Sequence, residues 1–150
     1  MSYGEQVRTW KPLIALGALA LVLAGCSNEA GPTPKGGAGQ AETPYALSVK
    51  LNALTADTCF RDPAGQTPRG CGKYVTELGS TPGLVREQAG TKHPDLVAAA
   101  NDLEKGIGAY RGGHCDAVAD PGGACTSALT AIADSLRSVK QLVDTQLVTG

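Results

Sequence analysis

Four cysteines, Cys59, Cys71, Cys115 and Cys125, cut the chain into a pattern that occurs twice. Each time an amphipathic segment closes at a cysteine, a short loop follows, and a second cysteine opens the next amphipathic segment. Both loops hold an Asp-Pro-x-Gly turn, Asp62-Pro63-Ala64-Gly65 and Asp120-Pro121-Gly122-Gly123. Proline sets the backbone angle such a turn needs, and glycine relaxes its exit. A chain punctuated this way is expected to fold as two helix hairpins whose connections lie at the same end.

Apolar spacing supplies the helices. Thr43-Pro44 is a helix start: a hydroxyl cap, then a proline where the missing N–H costs nothing. Leu47, Leu51 and Leu54 follow at helical spacing and predict a first helix over 44–58. The stretch 60–70 reads as loop. Cys71, Tyr74, Val75 and Leu78 form a second stripe, interrupted at 79–83. Ser80-Thr81-Pro82 offers a fresh cap, so 71–89 is expected to be a broken helix. Leu96, Ala100, Leu103, Ile107 and Tyr110 mark a third helix from Pro94 to the stop at Gly112-Gly113. Gly106 lies beside this stripe, where a neighbouring helix would find room to approach.

The longest helix is expected over 124–147, with Asp120-Pro121 as its cap. Cys125, Leu129, Ile132, Leu136, Val139, Val143 and Gln146 keep a 4-3 rhythm. Only about three heptads exist and the chain supplies partner stripes of its own, which favours a bundle core over a coiled-coil seam. No β-rich run occurs. The expected class is all-α, a small up-down helical bundle of about four helices with two disulfides.

The N-terminus gives the address. Arg8 and Lys11 precede an apolar stretch from Pro12 to Leu23, shorter than the ~20 residues a spanning helix needs. It has the length of the hydrophobic region of a secretory signal, and no Arg-Arg pair points to the twin-arginine route. The stretch ends in Leu23-Ala24-Gly25-Cys26, which resembles the lipobox of bacterial lipoproteins at all four positions. The resemblance implies that residues 1–25 are a signal peptide and that Cys26 carries a diacylglycerol as the mature N-terminus. The protein would then stand on the extracytoplasmic face of a cell membrane. Residues 27–43 contain four Gly, two Pro and no large apolar side chain, a composition expected to remain a flexible tether. With that tether the chain is similar to short lipoproteins of high-GC Gram-positive bacteria. The domain is expected over 44–150.

An exported chain with an even number of remaining cysteines is expected to form two disulfides. All three pairings are geometrically open if both loops share one end. Local closure, Cys59 with Cys71 and Cys115 with Cys125, is favoured because the loops are short and the cysteines flank them. Each bridge would contribute about 3 kcal/mol in the chain-entropy treatment. That is a large share of a typical ~5–15 kcal/mol for a chain with 20 glycines and a single phenylalanine.

Function is less legible. The chain carries 13 basic and 14 acidic residues, a net charge of −1, so nothing in the charge suggests a nucleic-acid partner. No G-x-S-x-G, H-E-x-x-H or P-loop sequence occurs, and the cysteines lack the C-x-x-C spacing of redox sites. His114, Cys115, Asp116 and Asp120 fall in one loop, but C-x₉-C with one nearby histidine is not a structural zinc pattern. Neither enzyme, metal nor cofactor is therefore expected. The polar groups on the pinned loops, Arg61, Asp62, Arg69, His114, Asp116 and Asp120, are the candidate contacts for a protein or envelope component. A small-ligand or metal carrier using the same Cys-rich end is the alternative, which converging loop side chains or an apolar pocket would favour.

Overall fold

The computed structural model describes residues 43–149. The expected signal segment 1–25, Cys26 and the expected tether as far as residue 42 lie outside the described residues, as does Gly150. Helix α1 spans Pro44–Thr55. The Thr43 hydroxyl accepts from the Ala46 N–H at 3.2 Å, as the cap reading expects. Leu47, Leu51 and Leu54 are buried.

The expectation of one helix over 44–58 is corrected here: α1 stops at Thr55, and a short helix α2, Thr58–Arg61, begins anew. The cause is local. The Thr55 hydroxyl donates back to the Leu51 carbonyl at 2.9 Å, and Asp57 caps the new turn by accepting from the Cys59 N–H at 2.7 Å. Phe60 on α2 stacks under the Arg137 guanidinium, 5.3 Å from its ring centre, and this packs α2 against the last helix.

A 3-10 turn, Pro68–Cys71, leads into α3, Gly72–Leu78, and α4, Thr81–Ala89, follows. The expected break thus occurs, though the Ser80 hydroxyl does not cap α4; it accepts from the Lys50 ammonium at 3.1 Å. Helix α5 runs Pro94–Gly112, and a second 3-10 turn spans Cys115–Ala117. Helix α6 spans Gly123–Val143, ending four residues before the expected Leu147. A π-helical turn, Asp144–Val148, completes the chain. The cap of α6 is a further correction. Gly122, at φ 110°, occupies the position rather than Asp120-Pro121, and its N–H is taken by the Thr126 hydroxyl. Only glycine enters that conformation without strain.

The described residues contain no strand. The fold is all-α, an up-down bundle in which α5 and α6 pack along their lengths with α1 and α4 against them. Every expected stripe residue of α5 is buried, and so are Cys125, Leu129, Ile132, Leu136, Val139 and Val143 of α6. The heptad-like rhythm is core. Both disulfides close locally, Cys59 to Cys71 and Cys115 to Cys125. No helix among the described residues is long and apolar enough to cross a membrane.

The α5–α6 crossing depends on one residue. A Cβ at Gly106 would lie 3.0 Å from Ile132 Cγ1 and 3.2 Å from the Ile132 backbone nitrogen. A methyl there pushes on helix backbone, which does not yield without moving α6. Gly108, two residues on, is exposed with nothing within 4 Å of its would-be Cβ. Urea unfolding of the oxidised protein should therefore separate the two. Gly106→Ala is expected to lose about 1–3 kcal/mol by overpacking. Gly108→Ala is expected to gain up to about 1 kcal/mol from helix propensity.

Candidate functional site at the paired loops

The two disulfide-closed loops meet. The Arg69 N–H donates to the Val118 carbonyl at 2.8 Å, joining the first loop to the second main chain to main chain. Tyr110, at the end of α5, donates its hydroxyl to the Pro68 carbonyl at 2.6 Å, and this bond is buried. The loops are thus tied to each other as well as pinned at their ends.

A groove of about 250 Å³ opens beside this junction, lined by Gly72, Val75 and Thr76 of α3, Tyr110 and Arg111 of α5, and His114 and Asp116 of the second loop. Val75 and Tyr110 supply apolar surface. Arg111 reaches toward the C-terminal end of α3, where its guanidinium nitrogen would lie 2.7 Å from a Cβ at Gly79. A cation at the end of a helix is favourably placed against the carbonyl dipoles. His114 enters the groove because its backbone is left-handed, φ 49°, the sharp turn that carries the chain from α5 into the Cys115 turn. Histidine is among the residues that tolerate this region better than most.

Two of the six candidate contacts, His114 and Asp116, line this groove. Arg61, Asp62, Arg69 and Asp120 are exposed but do not line it. Asp62 is engaged within its own turn, accepting from the Gly65 N–H at 3.2 Å. Arg69 acts through its main chain, in the loop–loop bond. Among the described residues, no three His, Cys, Asp or Glu side chains converge in a way that would hold a metal ion. The sequence reading did not single out Arg111 or Thr76 as contacts. The available signal was that Arg111 and His114 are three apart, around the last turn of α5.

A second groove, about 220 Å³, is lined by Asp57, Thr58, Cys59, Gln66, Gly70, Lys73, Tyr74 and Glu77. Tyr74 is buried, and its hydroxyl finds no hydrogen-bond partner in the protein. Desolvation, with the nearby Asp57 charge adding to it, holds the Tyr74 phenol well above the usual tyrosine range. Burial also raises Tyr110, with Asp116 contributing.

Comparison with family models, with curated proteins and with solved structures found no match for this chain.

The two buried phenols differ in one respect that mutation can read. Tyr110→Phe orphans the buried Pro68 carbonyl and should cost about 1–3 kcal/mol. Tyr74→Phe removes a hydroxyl with no protein partner and should be neutral or slightly stabilising. Burial raises both phenols above their unfolded value of about 10, so neither lowers stability below that pH, and the fold loses stability as pH rises toward the folded values. Urea unfolding of the two variants at neutral and alkaline pH checks both statements.

Proposed function

We propose that the protein is a lipid-anchored extracytoplasmic module without enzymatic activity, which recognises a protein or envelope component through its paired loops. The observation that carries this reading is the polarity of the bundle. The two pinned loops meet at the end opposite the first residue of α1, where the tether from Cys26 arrives. A domain held by that tether presents the loops outward.

Three features support recognition there. Backbone already fixed by disulfides, by the loop–loop bond and by the Tyr110–Pro68 bond loses less entropy when it binds. The groove offers a guanidinium, an imidazole and a carboxylate around an apolar floor, a mixture suited to a polar polypeptide surface. Its volume lies below the ~300–1,000 Å³ of most small-ligand sites, which favours a macromolecular partner over a carried small molecule. The anchor itself rests on the lipobox resemblance, since two acyl chains hold a protein stably where one does not.

The test has two arms. Metabolic labelling with palmitate should mark the wild-type protein and not Cys26→Ser; equal labelling of both would remove the anchor. With the anchor intact, Arg61, Arg69, His114 and Asp116 are replaced together by alanine. Cross-linking and recovery of partners from membranes should then fall at least tenfold, a loss of about 1.4 kcal/mol or more, with the melting temperature unchanged. Undiminished recovery from a folded variant would place recognition elsewhere on the bundle.

A further inference from the structure

The end of the bundle remote from the loops has a surface of its own. Among the described residues, three large apolar side chains are exposed: Tyr45 at 72 %, Val49 at 50 % and Val148 at 43 %. They are far apart in sequence, yet the fold gathers them at one edge. The Ser48 hydroxyl donates to the Asp144 carboxylate at 2.8 Å, which fixes the first turns of α1 beside the end of α6. The two elements run antiparallel. Tyr45 lies three residues before Ser48 and Val148 four after Asp144, so both step from that bond toward the same end. Val49 lies one turn above Tyr45 on the same face of α1.

We infer that this edge, Tyr45 with Val49 and Val148, rests on the bilayer that holds the lipid, so that the domain sits on the membrane and does not only hang from it. The inference rests on the anchored reading above. What selects a lipid surface as the occupant is the chain outside the described residues and where it ends. Seventeen residues, 27–43, join Cys26 to the start of α1. Fully extended, seventeen residues span about 60 Å. On the anchored reading the tether keeps Tyr45, two residues beyond its end, within that distance of the lipid surface. At such effective concentration a weak contact is populated.

The chemistry of the edge fits. Tyrosine is enriched where a membrane meets water, its ring among the acyl chains and its hydroxyl wet. Of the two neighbouring carboxylates, Asp144 is paired with the Lys140 ammonium, which offsets its repulsion of anionic head groups, whereas Asp95 keeps its charge. Asp144 is bonded by Lys140 and Ser48, and Asp95 by the Gln146 amide. The lysine bond foremost, then the serine, holds Asp144 below the usual carboxylate range, and the Gln146 bond does the same for Asp95. Both therefore stay ionised at neutral pH, and Lys140 is the counter-charge at this edge.

The experiment uses the processed, lipidated protein in vesicles of equal parts phosphatidylethanolamine and phosphatidylglycerol. The segment from Cys26 onward contains no tryptophan. Tyr45→Trp therefore places a single indole at the proposed contact, and Ala64→Trp, in a separate protein, places one at the loop end. With brominated acyl chains, the Tyr45→Trp protein should be quenched roughly twofold, as a ring seated ~5–10 Å into the interface is. The Ala64→Trp protein should not be quenched. Adding Val49→Ser and Val148→Ser to Tyr45→Trp should relieve the quenching while the protein still floats with the vesicles; both positions are exposed, and an unchanged melting temperature checks the fold. Floating, palmitate-labelled Tyr45→Trp protein that is not quenched would overturn the inference and leave the anchor standing. Blue-shifted but unquenched emission from that protein, with concentration-dependent dimers, would overturn it in favour of a second copy on this edge. A chain that takes up no palmitate and does not float brings down the anchored reading itself, and this surface with it.

Discussion

Each disulfide closes a loop of about a dozen residues; the Arg69–Val118 main-chain bond holds the two closed loops against each other, and the Tyr110–Pro68 bond ties the first to the end of α5. The rest of the bundle is organised from that junction. Cys71 fixes where α3 begins, Cys115 follows α5 and Cys125 lies in the first turn of α6. Once these ends are pinned, the antiparallel course of the arms is set, and the apolar stripes have one way to face. The interior can then be modest. It is made of leucine, valine, isoleucine and alanine with two tyrosines, and a glycine at 106 draws α5 and α6 together. Such a core has little aromatic area to bury, and the cross-links offset part of the chain entropy that it leaves uncompensated.

The parts of this fold that were legible in the sequence are those governed by periodicity and by proximity along the chain. The stripes of α5 and α6 were readable because every third or fourth position is apolar. The local disulfides were readable because the cysteines flank short turns. The break between α3 and α4 announced itself in Gly79 to Gly83. What escaped was set by competing side-chain bonds. Asp57 reads as one more helical residue until it caps the Cys59 N–H and starts α2. Asp120-Pro121 reads as a cap, but Gly122 takes a backbone angle closed to other residues and Thr126 meets its N–H. The last residues, periodic on paper, widen into a π turn that carries Asp144 to Ser48 on α1.

The site was half legible for a related reason. His114 and Asp116 stood out as polar groups in a pinned loop. Arg111 was hidden in a helix whose neighbours are core, and the groove it lines exists only because α3 comes to lie beside the end of α5. Contacts made across the fold leave no spacing in the sequence. The same holds at the opposite edge: nothing in the order of Tyr45, Val49 and Val148 suggests a shared surface, and the Ser48–Asp144 bond creates it. The bundle thus has two unlike ends, one covalently fixed and mixed in charge, the other with Tyr45, Val49 and Val148 exposed beside the first turns of α1.

The claim on which the account depends is that each loop closes on itself. Tryptic digestion without reduction addresses it directly. Cleavage after Lys50, Arg61, Arg69, Lys73, Arg111 and Arg137 leaves Cys59 in peptide 51–61, Cys71 in 70–73, and both Cys115 and Cys125 in 112–137. The account predicts that mass spectrometry finds 51–61 joined to 70–73, and 112–137 alone with an internal bridge. Peptide 51–61 or 70–73 joined to 112–137 would show the hairpins stitched to each other, and would contradict it.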